Sequence, residues 1–157
     1  MTWAWPYPFK LGVVLEEIDK DPRRSVPLAR ELGMTHVEFG SLRGQRLGEA
    51  GEADLEEMRD LLADHGLRVA MVGPSTFKTV LLGHVSLSEI EGDAHFQAEM
   101  RLMERVMAAA RVFRAPLVRT FSFRRDGMVG LGNPSPRLAR GGEIPPAMLE
   151  KIRKGLS

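Results

Sequence analysis

The chain has 157 residues, 43% of them hydrophobic and 27% charged, with a formal net charge of +1. That length suffices for one domain with a real core, and so small a charge gives no global field to draw the chain to nucleic acid or a membrane surface. Cysteine is absent, which excludes disulfides and thiolate metal centres and fits a cytoplasmic protein.

The start, MTWAWPYPFK, lacks the basic end and continuous apolar run of a signal peptide. No stretch approaches the ~20 apolar residues that cross a membrane. The first expected strand is KLGVVLEEI, 10–18. A helix follows over DPRRSVPLAREL, with Asp21 as its cap and Pro22 in its first turn. Pro27 is awkward inside that helix and predicts a later start or a kink. Gly33 ends it. MTHVEFGSL, 34–42, holds the second strand, and RGQRLGEAGEA is a polar loop. In ADLEEMRDLLADHG, Leu55, Met58, Leu61 and Leu62 share one helical face, and Gly66 is the stop. LRVAMVG is the third strand. A longer connection leads to a helix over about 93–114, with an apolar stripe of Phe96, Met100, Met103, Val106, Met107 and Ala110. APLVRTFSF is the fourth strand. A glycine- and proline-rich loop, 126–144, precedes a last helix beginning near Pro145 and Pro146.

LARELGMTHVEF and LLADHGLRVAMV share the order helix, glycine, apolar residue, strand, with their glycines 33 residues apart. AARVFRAPLVRTF repeats the order without the glycine. Strand and helix thus alternate four times, which predicts an α/β fold with a parallel sheet and right-handed crossovers. Both an open doubly wound sheet and part of a (β/α)₈ barrel satisfy that pattern.

Two strands carry a charge near their middle. Glu38 lies between Val37 and Phe39, and strand alternation sends it to the opposite face from both. An unpaired buried charge is expensive, so a buried Glu38 needs a partner. Arg119 occupies the matching depth in the fourth strand. In a barrel, alternate strands contribute to the same interior layer, so Glu38 and Arg119 are expected to face each other. This favours the barrel over the open sheet.

LARELGMTHVEFG, LADHGLRVAMVG and MRLMERVMAAARVFRAPLVRTF, in that order, resemble the N-terminal half of the sugar-phosphate isomerase/epimerase superfamily, the xylose-isomerase-like TIM barrels. The resemblance covers about 10–125. It implies that 1–157 is a single partial barrel domain of four strand–helix units, about half of a TIM barrel, truncated at its C-terminus. A complete barrel has eight strands and about 250 residues. It further implies a sugar or polyol isomerase or epimerase, phosphorylated substrates included, that moves a proton or hydride with help from a divalent metal (Mn, Mg, Zn or Co). The metal ligands and proton-transferring glutamates of such enzymes lie on strands five to eight. None of those strands is here, so no catalytic or metal-binding residue carries over, and the chain alone is expected to be inactive. The family-matched polar positions are Glu38 and Arg119.

The remaining candidates are weaker. GPSTFKT, 73–79, resembles a phosphate loop but has Phe77 where glycine must precede the lysine. Lys78 is still placed to meet an anionic substrate. His84 follows the third strand, where barrel sites draw their loops. Arg124 and Arg125 follow the fourth and suit a sugar or DNA phosphate. GLGNPS, 130–135, lacks the third glycine of a dinucleotide fingerprint. The substrate-binding set is therefore Glu38, Arg119, His84, Lys78 and Arg124. Two other classes stay open. One is a non-catalytic partial barrel that pairs, as a homodimer, through its exposed edges. The other is an endonuclease IV-like DNA enzyme, against which the near-neutral charge counts.

Overall fold

The structure, a computed structural model, describes residues 9–80, 85–123 and 144–157. These fall into two compact units. The first holds the described residues up to Ser75 together with Leu102–Arg119, and the second holds Thr76–Arg101 and those from Thr120 onward.

In the first unit, β1 (Gly12–Val14), β2 (His36–Phe39) and β5 (Arg68–Val72) form a parallel sheet in the order β1-β2-β5. Between them run α1 (Pro22–Glu31) and α2 (Glu52–Asp64). The first strand is shorter than its apolar run suggests. A 3₁₀ turn over Leu15–Glu17 ends it, burying Leu15 and turning Glu16 towards the end of β2. The Asp21 side chain accepts from the Arg23 N–H at 3.0 Å and caps α1. The helix runs through Pro27, whose missing N–H is the one that would have met Arg23, an exposed first-turn residue. After Gly40 the chain forms a small hairpin of β3 (Ser41–Leu42) and β4 (Gln45–Arg46). Its two-residue turn has Arg43 at φ 50° and Gly44 at φ 82°, the pair of left-handed residues that a tight hairpin needs. A polar loop was expected there.

Three helices feed these strands by one device. After α1, Gly33 (φ 80°) donates to Arg30 O and Met34 N to Ala29 O. After α2, Gly66 (φ 64°) and Leu67 donate to Ala63 O and Leu62 O. After α3 (Ala94–Val112), Arg114 and Ala115 donate to Arg111 O and Ala110 O in the same way, but Arg114 sits at φ 51° with a full side chain. The paired bonds satisfy the last carbonyls of each helix, and the left-handed residue in them is ordinarily glycine. The third repeat unit thus keeps the geometry and omits the glycine.

The fourth expected strand is only an isolated parallel bridge between Val72 and Val118. Val72 donates to Leu117 O at 3.0 Å and Arg119 donates to Val72 O at 2.8 Å. The next rung would need an N–H from residue 74, which is Pro74. The described sheet therefore has three strands and one bridge.

The core of the first unit lies between one face of the sheet and its helices. Val37, Phe39, Val69 and Val72 meet Val26 and Ala29 of α1, Met58 and Leu62 of α2, and Leu102, Val106, Ala109, Ala110 and Phe113 of α3 and its end. Phe39 and Phe113 pack edge to face at 5.0 Å between centroids. Of the expected α3 stripe, Phe96, Val106 and Ala110 are buried and Met103 packs against the core, but two members depart from it. Met100 and Met107 are exposed, and Leu102 and Ala109 take the inward positions.

In the second unit, α4 (Pro146–Leu156) starts where the two prolines place it. Phe77, Phe96 and Phe123 form a ring cluster with centroids 5.1–6.0 Å apart. Phe77, at φ 60°, donates its N–H to the buried Glu99 carboxylate at 2.7 Å.

Candidate functional site

Parallel strands aim their ligand sites at their carboxyl ends. There, in the first unit, a cavity of about 270 Å³ is lined by Glu16, Glu17, Glu38, Ser41, Arg46, Ser75 and Arg119, with Gly40 and Gly73 in its wall. Alternation along β2 builds its centre. Val37 and Phe39 are buried in the core, and Glu38, between them, points to the opposite face, beside Val14 and Met71 in register.

Glu38 and Arg119 are brought together. Arg119 Nη2 lies 3.0 Å from Glu38 Oε1, and Nε donates to the same oxygen at 3.1 Å. Nη2 also donates to the Gly73 carbonyl at 3.1 Å. A Cβ on Gly73 would meet Glu38 Oε1 and the Arg119 guanidinium, so any side chain there would have to displace the pair. The ion-pair distance and the hydrogen bond both fall on one carboxylate oxygen, Glu38 Oε1.

The pair is less buried than its mid-strand positions suggest. The Glu38 side chain is 20% exposed and that of Arg119 42%. A fully buried pair would cost about 3–5 kcal/mol to break. At this exposure Arg119→Ala should cost about 1 kcal/mol or less, read as a small shift of the urea midpoint.

Glu16 is the anchor that strand-pattern reasoning passes over, since KLGVVLEEI reads as strand throughout. Its Oε1 accepts from Gly40 N at 2.6 Å, Ser41 N at 2.7 Å and Ser41 Oγ at 3.1 Å. Its Oε2 is buried without a hydrogen-bond partner among the described residues. The signal in the sequence is a carboxylate at the carboxyl end of an apolar strand. Ser41, Arg46 and Ser75 carried no pattern that marks them.

Lys78 belongs to the second unit, where its ammonium lies 5.3 Å from the Phe121 ring centroid. His84 and Arg124, with Arg125, lie outside the described residues.

The pocket offers carboxylate acceptors, a guanidinium and hydroxyls at close quarters. That donor and acceptor mixture suits a polyhydroxylated molecule. One oxygen of Glu16 is spent on backbone N–H groups and one of Glu38 on Arg119. No group of three or more His, Cys, Asp or Glu among the described residues is placed to hold an ion. No helix among the described residues is long and apolar enough to cross a membrane. A scan against protein-family models found no match, and a search of curated proteins found none of significance.

Proposed function

We propose that this chain is a partial (β/α) barrel of the sugar isomerase/epimerase kind, and that the pocket at the carboxyl ends of its strands binds a sugar-like polyol. The observation that carries the reading is the buried Oε2 of Glu16, without a partner among the described residues, in a cavity shared with the Glu38–Arg119 pair and two serines. A substrate hydroxyl would donate to Glu16 Oε2 or Glu38 Oε2 and accept from Arg119. Three carboxylates against two guanidiniums favour an uncharged polyol over a sugar phosphate. The same carboxylates count against an endonuclease-like role on DNA.

The part these residues play is binding and orientation. Isomerisation next to a carbonyl also needs a proton acceptor and donor and, in the resembling family, a metal. Among the described residues no group of three or more His, Cys, Asp or Glu is placed to hold such a metal, and the expected outcome is no turnover by the chain alone. The opposite face of the sheet from the core, with Val14, His36 and Met71 half-buried and Leu117 61% exposed, suits closure by a second copy.

Calorimetric titration tests this. An uncharged polyol such as a ketose should give a saturable heat that Glu38→Ala weakens about tenfold or more, on the scale of a lost charge-assisted hydrogen bond. Mn²⁺ should give none, and the same sample should sediment as a dimer. Sugar phosphates binding better than neutral sugars, or metal-dependent epimerisation by the purified chain, would contradict the reading.

A further inference from the structure

A second cavity in the first unit, of about 980 Å³, lies at the other end of the sheet. Its wall is formed where β1, β2 and β5 begin and where α2 and α3 end. The charged or titratable residues lining it are Lys10, His36, Arg59, Arg68 and Arg114, with no carboxylate among them. In a chain of net charge +1 such a gathering is not a consequence of composition. Arg59 is paired, its Nε donating to Asp60 at 2.8 Å. No ion pair joins Lys10, Arg68 or Arg114 to a described residue.

Cations near helix C-termini complement the helix dipole, which accounts for Arg114. It does not account for Lys10 and Arg68, which sit at strand starts. Like charges at close quarters repel, and their effect is visible on His36. Burial, then the charges of Lys10 and Arg68, hold its imidazole below the ordinary histidine range.

Arg114 adds an independent sign. In the matching bonds after α1 and α2, glycine takes the left-handed position. Here an arginine takes it at φ 51°, a conformation that disfavours any side chain. Local strain held at a cavity wall is a pointer to function. The floor of the same cavity is apolar, with Leu62, Leu67, Val69 and Phe113 among its residues.

We propose that this cavity is a second ligand site, for an organic polyphosphate: cationic side chains at Lys10, Arg68 and Arg114 take the phosphates, and the apolar floor takes the organic body. The volume is at the upper end of the range for small-molecule sites, about 300–1,000 Å³. Several separate cations select several negative charges, and guanidiniums suit phosphate oxygens in particular. The site is independent of the polyol pocket, so either reading can fail alone.

The probes are ATP, tripolyphosphate and adenosine, titrated in chelator at two salt concentrations. ATP should bind, more weakly at high salt, and more tightly than either fragment. Arg114→Gly is the informative variant, because glycine suits φ 51° and the fold should be kept. It should weaken ATP about fivefold to tenfold, as should Arg68→Ala. Arg30→Ala, which removes an exposed charge from α1, should change little. ATP should also raise the His36 pKa, followed by NMR, since its charge offsets Lys10 and Arg68. Three results would each overturn the proposal: no ATP binding at millimolar concentration, losses in Arg114→Gly and Arg68→Ala no larger than in Arg30→Ala, or tripolyphosphate binding as tightly as ATP.

Discussion

Phe39→Ala should lower the stability of the chain by about 3–5 kcal/mol, the range for truncating a buried aromatic ring. Phe39 is 1% exposed, and its ring packs edge to face on Phe113 at 5.0 Å. The ring bridges β2 to the end of α3, so its loss opens a cavity where strand and helix meet. Neighbours cannot easily refill it, because Val37 and Val72 hang from hydrogen-bonded strands. The Phe39 carbonyl accepts from Gly73 N at 2.9 Å, so a loosened β2 also shifts the wall of the cavity at the carboxyl ends of the strands. The measurement is a urea melt beside Met107→Ala, an exposed position on α3 that should stay within about 0.5 kcal/mol. Equal midpoints for the two variants would mean that the contact between β2 and α3 is not the core of the fold.

Much of this arrangement was legible in the chain. The repeat of helix, glycine and strand located α1, α2, β2 and β5, because hydrophobic period and a left-handed stop are local signals. The placement of Glu38 followed from alternation alone, whereas its partnership with Arg119 was expected from their matching depth on alternate strands of a barrel, and the structure brings the two together beside a single bridge. What escaped depended on groups remote in sequence. The fourth strand reads as apolar and extended, but its pairing depends on Pro74, more than forty positions earlier, which has no N–H to offer. The early end of β1 at Leu15 is set by the demand of Gly40 and Ser41 for an acceptor, and Glu16 meets it. The hairpin turn at Arg43 and Gly44 was hidden because arginine is an unusual residue at a positive φ. The exchange by which Leu102 and Ala109 replace Met100 and Met107 on the inward side of α3 could not be read from a helix rich in apolar residues all round. His84 and Arg124 rested on loop position alone, an argument that names a neighbourhood rather than a contact, and both lie outside the described residues.

Glu16→Ala should cost about 2–4 kcal/mol, more than the loss of either member of the visible ion pair. Glu16 Oε1 is the acceptor for two consecutive backbone N–H groups, Gly40 and Ser41, at 2.6 and 2.7 Å. A hydrogen bond to a charged group contributes about 1.5–3 kcal/mol, and a donor left without a partner costs about 1–3 kcal/mol. Neither amide is fully buried, so entering water recovers part of the sum and keeps the expectation below the total for two. Gly40 cannot move to find another acceptor, since it is pressed against the backbone of Gly73 and a Cβ there would run into the Gly73 carbonyl. The variant should therefore keep its core and lose order where β2 gives way to the hairpin. Glu16→Gln retains a carbonyl oxygen for both amides and should recover most of the stability, at about 1 kcal/mol below the native chain. Amide exchange separates the two effects: in Glu16→Ala the Gly40 and Ser41 amides should lose protection while Val37 and Val69 keep theirs. Unchanged protection at Gly40 and Ser41 would mean that solvent, and not the carboxylate, holds that turn, and the cavity beside Glu16 would then lack a rigid wall.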